Sequence, residues 1–321
     1  MQIISNCTQD TVKKAAKALK DGHLVAFPTE TVYGLGADAN NSNAVSRIYS
    51  VKGRPTDHPL IIHISAINQM KKWAVDIPEY ALKLARDFWP GPMTLILKRS
   101  ELAKNFITGG QDYVGLRVPS QPLALALLAE FELLGGLGVA APSANRFGAV
   151  SPTTAQAVEY ELGSFLEYDD LVIDGGLCSL GIESSIIDCS RPKPVLLRPG
   201  AITNEMIGRS IQIKASLISD VYTINSPGAL ESHYSPKATV SIGESPKSGD
   251  GFIALNDIPT PIGVIRLASP KSIEEYAKVL YVSLRLGDQY GLKEIATVEP
   301  EGDGLAVAIR DRLRKAATSK K

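Results

Sequence analysis

Apolar runs and helical repeats of apolar residues alternate along the first two thirds of the chain. Apolar residues recur at helical spacing after Thr8 and predict an opening amphipathic helix with Thr8 as its cap. The same pattern predicts further helices at residues 44–52 (cap Asn41 or Ser42, stop Gly53), 78–88, 122–131 and 153–162. Short apolar runs predict buried strands at residues 24–27, 60–64, 93–98, 114–118, 137–141, 170–175, 183–189 and 194–199. Because strands outnumber helices and short turns join some of them, we expect an α+β (α/β) unit with a mixed, partly antiparallel sheet.

The pattern changes near residue 211. The segment "INSPGALESHYSPKA" is rich in Pro, Ser and Gly and has no periodicity, which predicts a linker over residues 211–239. Beyond it, strands are predicted at 239–243, 251–255, 262–267 and 294–298, and helices at 272–288 and 305–317. This alternation predicts a smaller three-layer α/β domain with a parallel sheet. The expected units are residues 1–210, the linker 211–239 and residues 240–321.

Composition excludes several classes of protein. The 321 residues include 34 Lys+Arg and 34 Asp+Glu, so the chain lacks the basic excess of a dedicated nucleic-acid binder. Its 3 cysteines form no C-x-x-C pair, which argues against a disulfide framework or a zinc site. The N-terminus has no basic region followed by an apolar run, and Glu130 and Glu132 interrupt the most apolar stretch. We therefore expect a cytoplasmic protein without a signal peptide or membrane span.

The segment "AFPTETVYGLGADA" (residues 26–39) leaves an apolar run through a proline, hydroxyls and glycines. It contains too many turn-forming residues for a core segment and too many hydroxyl side chains for a loop without a function. Its "GLGADA" fits the dinucleotide fingerprint, with Asp57 as the acidic residue, and would suit a dinucleotide-dependent oxidoreductase. However, "PTETVY" separates the first glycine from the strand, and polar "NNSN" follows where an apolar helix is needed. The fingerprint is therefore disfavoured, and the Walker and G-x-S-x-G patterns are absent.

Polar clusters bounded by Gly or Pro follow several predicted elements. They are "KGRP" with Lys52 and Arg54, "GLRVP" with Arg117, "APSAN" with Ser143 and Asn145, "GIESS" with Glu183, Ser184 and Ser185, and "LLRPG" with Arg198. Each has an ordinary explanation by itself: Arg198 as a surface residue, and His63 in "LIIHI" as a buried core histidine. Several cationic residues, however, all lie in polar clusters of this kind at the ends of apolar elements. Together they predict a common pocket for an anion, for which a polyphosphate is the natural candidate.

In this order, "PTETVYGLGADA", "KGRP", "PLIIHI", "WPGPMTLIL", "GLRVP", "APSAN", "IDGG", "GIESSI" and "LLRPG" resemble the YrdC-type threonylcarbamoyl-AMP synthases. The resemblance spans nearly all of residues 8–210, while "SPGALESHYSP" and "GLAVAIRDRLRKAA" resemble the two-domain version. It implies a YrdC-like twisted sheet with a concave active-site face and a Rossmann-like C-terminal domain. The implied enzyme is a nucleotidyltransferase that makes threonylcarbamoyl-adenylate and pyrophosphate from L-threonine, bicarbonate and ATP.

The resemblance also implies residue roles. Lys52 and Arg54 are the expected catalytic residues and meet the phosphates of ATP. The other residues expected on ATP are His58, Ser143, Asn145, Ser151, Arg198, His233 and Tyr234, of which the last two form a lid. The residues expected on threonine are Thr31, His63, Arg117 and Ser184, with Arg117 pairing the carboxylate and the glycines of "GLG" admitting substrate close to the backbone. Mg²⁺ is expected to arrive with ATP, without direct protein ligands.

Several points stay open at this level. Glu30 and Glu183 are both candidates for a general base, or for residues that orient their neighbours. His58 stands where the family often has Asn, and "ALES" stands where its linker usually has basic residues. The product is expected to pass to the tRNA threonylcarbamoyl-transfer machinery, with weak tRNA contact as a further expectation. The alternative is a non-catalytic RNA- or tRNA-binding module, which the neutral charge disfavours.

Overall fold

The computed structural model of the protein describes residues 1–5, 8–212, 216–217 and 234–318. Its larger sheet has the strand order β1-β8-β2-β3-β7-β4-β6-β5-β9-β10-β11 within the described residues. These strands are β1 (Gln2–Ile4), β2 (Val25–Phe27), β3 (Gly34–Asp38), β4 (Ile61–His63), β5 (Met93–Lys98), β6 (Tyr113–Arg117), β7 (Val139–Ala140), β8 (Leu171–Ile173), β9 (Ser185–Asp188), β10 (Val195–Arg198) and β11 (Ser216–Leu217). Both parallel pairs, such as β4 with β6, and antiparallel pairs, such as β5 with β6, occur. The expected mixed sheet is confirmed.

Helices cover both faces of this sheet. They are α1 (Gln9–Lys20), α2 (Ser42–Lys52), α3 (Met70–Trp73), α4 (Glu79–Phe88), α5 (Asn105–Thr108), α6 (Pro122–Leu133), α7 (Ala155–Leu162) and α8 (Asn204–Ile211), with a 3₁₀ turn at Ile67–Gln69. Helices α1 and α6 enclose an apolar cluster with Phe27 and Val139 on one face, and a larger cluster with Leu35 and Ile62 fills the other. No described helix is both long and apolar enough to cross a membrane.

The ends of α2 show how local chemistry places two candidate residues. The side chain of Asn41 accepts hydrogen bonds from the backbone N–H groups of Asn43 and Ala44 at 3.1 Å, and so caps the helix. Gly53 ends it in the left-handed region with φ 62°, which a residue with a Cβ adopts only at a cost. Lys52 and Arg54 therefore lie on either side of a sharp helix stop.

The turn-rich segment after β2 is core, contrary to the prediction. Every residue from 24 to 39 is buried, and Gly34–Asp38 forms strand β3, antiparallel to β2. A Cβ on Gly36 would lie 2.8 Å from Cγ1 of Val139 and 2.9 Å from Cε1 of Phe27. Gly36 is therefore required for close packing of side chains around the sheet, and the expectation that the glycines serve substrate approach is wrong at this position. Gly34 does line the cavity described below.

The second sheet contains β12 (Thr239–Ile242), β13 (Gly251–Ile253), β14 (Ile265–Ala268) and β15 (Glu294–Thr297), with helices α9 (Ile273–Gln289) and α10 (Leu305–Ala317). Its order is β12-β15-β13-β14 and all of its described pairs are parallel, as expected. Both helices share one apolar core with the sheet. The other face is covered by loop residues such as Ile258 and Val264, so that the expected third layer is a loop rather than a helix.

Candidate active site

One cavity gathers residues from distant parts of the chain. About 590 Å³ of space free of protein atoms lies between its walls, and part of that space is open solvent. Its walls come from the β2–β3 connection, strands β4 and β6, the loop after β7, the residues before β9, the end of β10 and Tyr234. The lining residues are Thr29, Thr31, Val32, Tyr33, Gly34, Arg54, Ile61, His63, Arg117, Ala141, Pro142, Ser143, Glu183, Ser184, Arg198 and Tyr234.

Three arginines line this cavity although each is buried: Arg54 is 8% exposed, Arg117 4% and Arg198 5%. Arg54 donates to the backbone carbonyl of Pro59 at 2.9 Å, and its guanidinium carbon lies 5.8 Å from the ring centroid of Phe147. Burial lowers the pKa of Arg54 to about 10, so that it still carries its charge at neutral pH. Clustered, partly desolvated positive charges favour an anionic ligand.

Arg117 is held in place from several directions. Its Nη2 lies 2.6 Å from Oε1 of Glu30, and its Nη1 donates to the hydroxyl of Thr31 at 2.9 Å. The other carboxylate oxygen of Glu30 accepts the backbone N–H of Ser120 at 3.1 Å. Thr31 in turn shares a 2.8 Å hydrogen bond with the hydroxyl of Thr29. Glu30 therefore acts on the cavity by orienting Arg117, one of the alternatives that its sequence left open.

His63 lies at the base of the cavity with 3% of its surface exposed. Burial, together with the nearby charge of Arg117, lowers the pKa of His63 to about 3. The imidazole is therefore neutral in the physiological range and contributes shape and hydrogen bonding rather than charge. Its ring meets Phe27 edge-on, at 6.0 Å between centroids.

Lys52 lies behind the cavity wall. Its ammonium donates to the backbone carbonyls of Ser143 at 2.6 Å and Asn145 at 2.5 Å. The residue is 2% exposed, and burial lowers its pKa well below the usual value for lysine. Lys52 thus ties α2 to the loop that carries Ser143, which does line the cavity.

Glu183 and Ser184 form the opposite wall. The hydroxyl of Ser184 pairs with that of Thr94 at 2.8 Å and accepts from Nη2 of Arg198 at 3.2 Å. Glu183 accepts a 2.6 Å hydrogen bond from the hydroxyl of Ser151. Burial by itself would raise the pKa of Glu183, but the charges of Arg312 and Arg198 outweigh it and lower the pKa to about 2. A carboxylate with so low a pKa is a weak proton acceptor at neutral pH, which favours an orienting role over that of a general base.

The predicted residues divide into wall and support. Those that line the cavity are Thr31, Arg54, His63, Arg117, Ser143, Ser184, Arg198 and Tyr234, whereas Lys52, His58, Asn145 and Ser151 lie outside the lining. His58 packs edge-on against Phe147 at 5.3 Å. The amide nitrogen of Asn145 donates to the carbonyls of Arg146 and Ala149, while its Oδ1 is buried without a partner among the described residues and can accept from a ligand. His233 lies outside the described residues.

Sequence reasoning missed some residues around the cavity. Thr29 supports Thr31, and the two threonines of "PTET", spaced two apart, were a signal for a hydroxyl pair. Arg312 of α10 contacts Glu183, and it falls on the buried stripe formed by Ile309, Leu313 and Ala316. A charged residue on an apolar helix stripe is the signal that could have identified it.

Comparison with known proteins assigns relatives to both parts of the chain. Residues 17–200 match the family model of the Sua5, YciO and YrdC proteins, described as telomere recombination, and residues 202–318 match the model described as threonylcarbamoyl-AMP synthase, C-terminal domain. A threonylcarbamoyl-AMP synthase of Pyrococcus abyssi is 41% identical over 325 residues, covering 95% of this chain and 94% of the relative. One from Bacillus subtilis is 38% identical over 327 residues, covering 95% and 92%.

Solved structures give the same result. The crystal structure of P. abyssi Sua5 complexed with L-threonine matches with a TM-score of 0.89 at 38% identity, covering 99% of this chain and 98% of that one. Escherichia coli YciO covers 61% of this chain and 92% of its own, with a TM-score of 0.51 at 23% identity, which shows a common fold for the larger sheet.

Proposed function

The chain belongs to the threonylcarbamoyl-AMP synthase family, and we propose that the cavity is where L-threonine, bicarbonate and ATP are joined to threonylcarbamoyl-adenylate with release of pyrophosphate. The single observation that carries this assignment to the cavity is the convergence of Arg54, Arg117 and Arg198 on one enclosed space. Both reacting partners are anions, and a common cationic pocket is what their joining requires.

The threonine end of the cavity is the part around Arg117. Thr31, His63, Arg117 and Ser184 all line it, and a threonine-bound relative shares the fold over nearly the whole chain. Arg117 would pair the threonine carboxylate, because its planar fork matches a carboxylate and Glu30 already fixes its orientation. The neutral imidazole of His63 would accept or donate a hydrogen bond without adding charge.

The nucleotide end is the part around Arg54 and Arg198. Ser143 and Tyr234 line the same space, and Lys52 fixes the Ser143 loop from behind. Arg54 would act as a catalytic residue by direct contact with the phosphates. Lys52, the second residue expected to be catalytic, would act as a positioning residue, because it holds the Ser143 loop. The remaining residues proposed for ATP are His58, Asn145, Ser151 and His233.

In this reaction the protein would mainly position the reactants and stabilise their charges, rather than form covalent bonds with them. The threonine amine first captures carbon dioxide, with loss of a proton from the amine, or bicarbonate, with loss of water, and a carbamate forms. A carbamate oxygen then attacks the α-phosphorus of ATP, and the bond to the bridging oxygen of pyrophosphate breaks. Arg54 and Arg198 would offset the repulsion between carbamate and triphosphate and the charge that develops on the leaving pyrophosphate. Glu30 and Glu183 are engaged in orienting Arg117 and the opposite wall, so that we assign neither as the base.

Mg²⁺ would accompany ATP. Among the described residues no group of three His, Cys, Asp or Glu side chains is placed to hold a metal ion, and the carboxylate that lines the cavity, Glu183, already accepts from Ser151, Tyr281 and Arg312. Both features suit an ion that is carried by phosphate oxygens and water. When bound, Mg²⁺ would neutralise phosphate charge.

The wider assignment follows from this chemistry. The enzyme would be a nucleotidyltransferase, would act in the cytoplasm, and would pass its short-lived product to the machinery that transfers threonylcarbamoyl to tRNA. We also propose residues 1–210 as the catalytic domain, 211–239 as the linker and lid, and 240–321 as the C-terminal domain. A non-catalytic RNA-binding role is not favoured, because the formal net charge is zero and the relatives that match the full chain are synthases.

A drop-out assay tests the function directly. Pyrophosphate release is measured with ATP, Mg²⁺, bicarbonate and L-threonine, and then with each component omitted in turn. Release is expected only in the complete mixture. Equally fast release without threonine would show that the cavity is an ATP-hydrolysing site and not a synthase site.

A further inference from the structure

The C-terminal unit reaches the cavity through two completely buried residues, Arg312 of α10 and Tyr281 of α9. Nε of Arg312 donates to Oε2 of Glu183 at 2.9 Å, and the hydroxyl of Tyr281 donates to the same oxygen at 2.8 Å. Arg312 also donates through Nη2 to the backbone carbonyl of Pro199 at 3.0 Å. The carboxylate of Glu183, which lines the cavity, is therefore held by side chains from the two helices that pack on the second sheet.

The same two side chains enclose Tyr234, another wall residue. The rings of Tyr281 and Tyr234 stack with centroids 5.7 Å apart and planes inclined by 27°. The guanidinium carbon of Arg312 lies 5.4 Å from the Tyr234 ring centroid, within the range of a cation–π contact. Glu183 and Tyr234 are thus both in contact with Arg312 and Tyr281 of the C-terminal unit.

The backbones of the two units fit closely at this point. Gly181, two residues before Glu183, has φ 79°, and a Cβ there would lie 2.6 Å from the carbonyl oxygen of Ala277 in α9. Val32 and Ile182 belong to the same apolar cluster as α9 and α10. The residues that flank the cavity wall are therefore packed into the core of the second sheet, and the contact is more than a pair of surface bonds.

We propose that Arg312 and Tyr281 are positioning residues for the synthase reaction: they keep the Glu183 carboxylate fixed and compensated and hold Tyr234 against the cavity, so that the part of the cavity wall formed by Glu183 and Tyr234 is complete only when the C-terminal unit is docked. This inference rests on the proposed function. Without Arg312, the buried carboxylate of Glu183 loses its main compensating charge, so that it takes up a proton more readily and no longer holds the Ser151 hydroxyl as an ionised acceptor. The C-terminal unit then has a task in the reaction although it contributes no group that touches the reacting atoms.

The test uses the full-length chain with steady-state pyrophosphate release, and the threonine dependence of the wild type is measured first. If the wild type fails that step, the proposed function fails; the present inference is tested only by the variants. In Arg312→Met, kcat/KM for ATP is expected to fall roughly tenfold or more, because a buried charge loses its partner. Arg312→Lys should recover part of this loss, and Tyr281→Phe should show a smaller one.

A double-variant cycle separates positioning from general stability. If Arg312 acts through Glu183, adding Arg312→Met to Glu183→Gln should lower kcat/KM for ATP no further than Glu183→Gln alone. This comparison also decides the matter if Arg312→Met by itself does not fold, since the double variant leaves no uncompensated carboxylate. Losses that multiply independently would overturn the proposal.

Arg285→Met is the matched control. Arg285, also of α9, is 9% exposed and forms a 2.8 Å interdomain ion pair with Glu161, and neither residue lines the cavity. This variant should lose stability to heat while keeping its kcat/KM for ATP. A kinetic loss equal to that of Arg312→Met would show that any weakening of the interface suffices, and would refute a specific role for Arg312.

The pH profile gives a readout that a purely structural role would not change. The groups that face Glu183 are Arg312, Arg198, Tyr281, Tyr234 and Ser151, with Asp311 beside Arg312. Removing Arg312 takes away the largest of the charges that lower the pKa of the Glu183 carboxyl group, so that this pKa is expected to rise. Arg312→Met should therefore lose activity on the acid side at a higher pH than the wild type, whereas Glu183→Gln/Arg312→Met should not. An unchanged acid limb in Arg312→Met would contradict the proposal.

Discussion

Replacing Arg54 tests the cationic cavity most directly. Arg54 lines the cavity, is 8% exposed and remains charged at neutral pH. Two unit charges about 4 Å apart attract by roughly 4 kcal/mol at the effective dielectric constant of about 20 that suits partly buried protein sites. Since each 1.4 kcal/mol or so corresponds to a factor of ten in rate, Arg54→Ala should lower kcat/KM for ATP by about a thousandfold.

The assay is steady-state pyrophosphate release at varied ATP with saturating threonine and bicarbonate. Arg54→Lys keeps the charge but not the planar fork, and should retain an intermediate activity. The matched control is Arg47→Ala in helix α2, which ends just before Arg54, since Arg47 forms a bidentate pair with Asp170 at 3.0 and 2.7 Å and does not line the cavity. That variant should melt at a lower temperature and keep its kcat/KM.

A folded Arg54→Ala protein with a near wild-type kcat/KM for ATP would refute the reasoning. The phosphates would then lie elsewhere, and the three arginines would serve the structure rather than the reaction. Equal kinetic losses in Arg54→Ala and Arg47→Ala would lead to the same conclusion, because they would trace the effect to α2 as a whole.

Further predictions concern the threonine end and its support. Arg117→Ala should raise the KM for threonine more than the KM for ATP, and should lower the free energy of unfolding by about 3–5 kcal/mol because Glu30 loses its partner. Adding Glu30→Gln should restore the free energy of unfolding but not the affinity for threonine. Recovery of both in the double variant would contradict our reasoning. His63, with its pKa lowered to about 3, stays neutral in the folded protein while the unfolded chain takes up a proton below about pH 6.5. The contribution of His63 should thus lower the free energy of unfolding by about 2 kcal/mol as the pH falls from 7 to 5. Denaturant titrations of His63→Gln at the two pH values should show a decrease that is smaller by this amount. Lys52→Met should lower the free energy of unfolding by about 1–3 kcal/mol, because the Ser143 carbonyl loses its donor, and should slow pyrophosphate release. If neither the free energy of unfolding nor the rate changes, Lys52 does not belong to the site.

Local signals predicted most elements well. Thr8 caps α1, Asn41 caps α2 and Gly53 ends it, because capping and a left-handed stop depend on residues only a few positions apart. The exception is β3: the glycines that suggested a turn are strand residues, since Gly36 must leave room for Val139 and Phe27. That need arises from residues far along the chain, which local propensity does not contain.

The candidate site was predicted in part for the same reason. Polar residue types at the ends of strands and of a helix indicated that Arg54, Arg117 and Arg198 would share a pocket, and they line one cavity. The pattern did not reveal that the Lys52 ammonium points to two backbone carbonyls. The direction of a side chain depends on the residues that pack around it. Composition and spacing therefore indicate which chemical groups a site contains, but not how those groups are arranged.

The primary structure alone was enough to establish most of the element types, the family resemblance and the chemical character of the pocket, because periodicity, capping and motif order depend on neighbouring residues. Only the folded chain decided which of these residues face one another. Glu183 and Arg312 lie 129 positions apart, and their contact exists because the second sheet packs its helices against the cavity wall. A contact of that separation is set by the packing of whole units, which no short stretch of residues encodes.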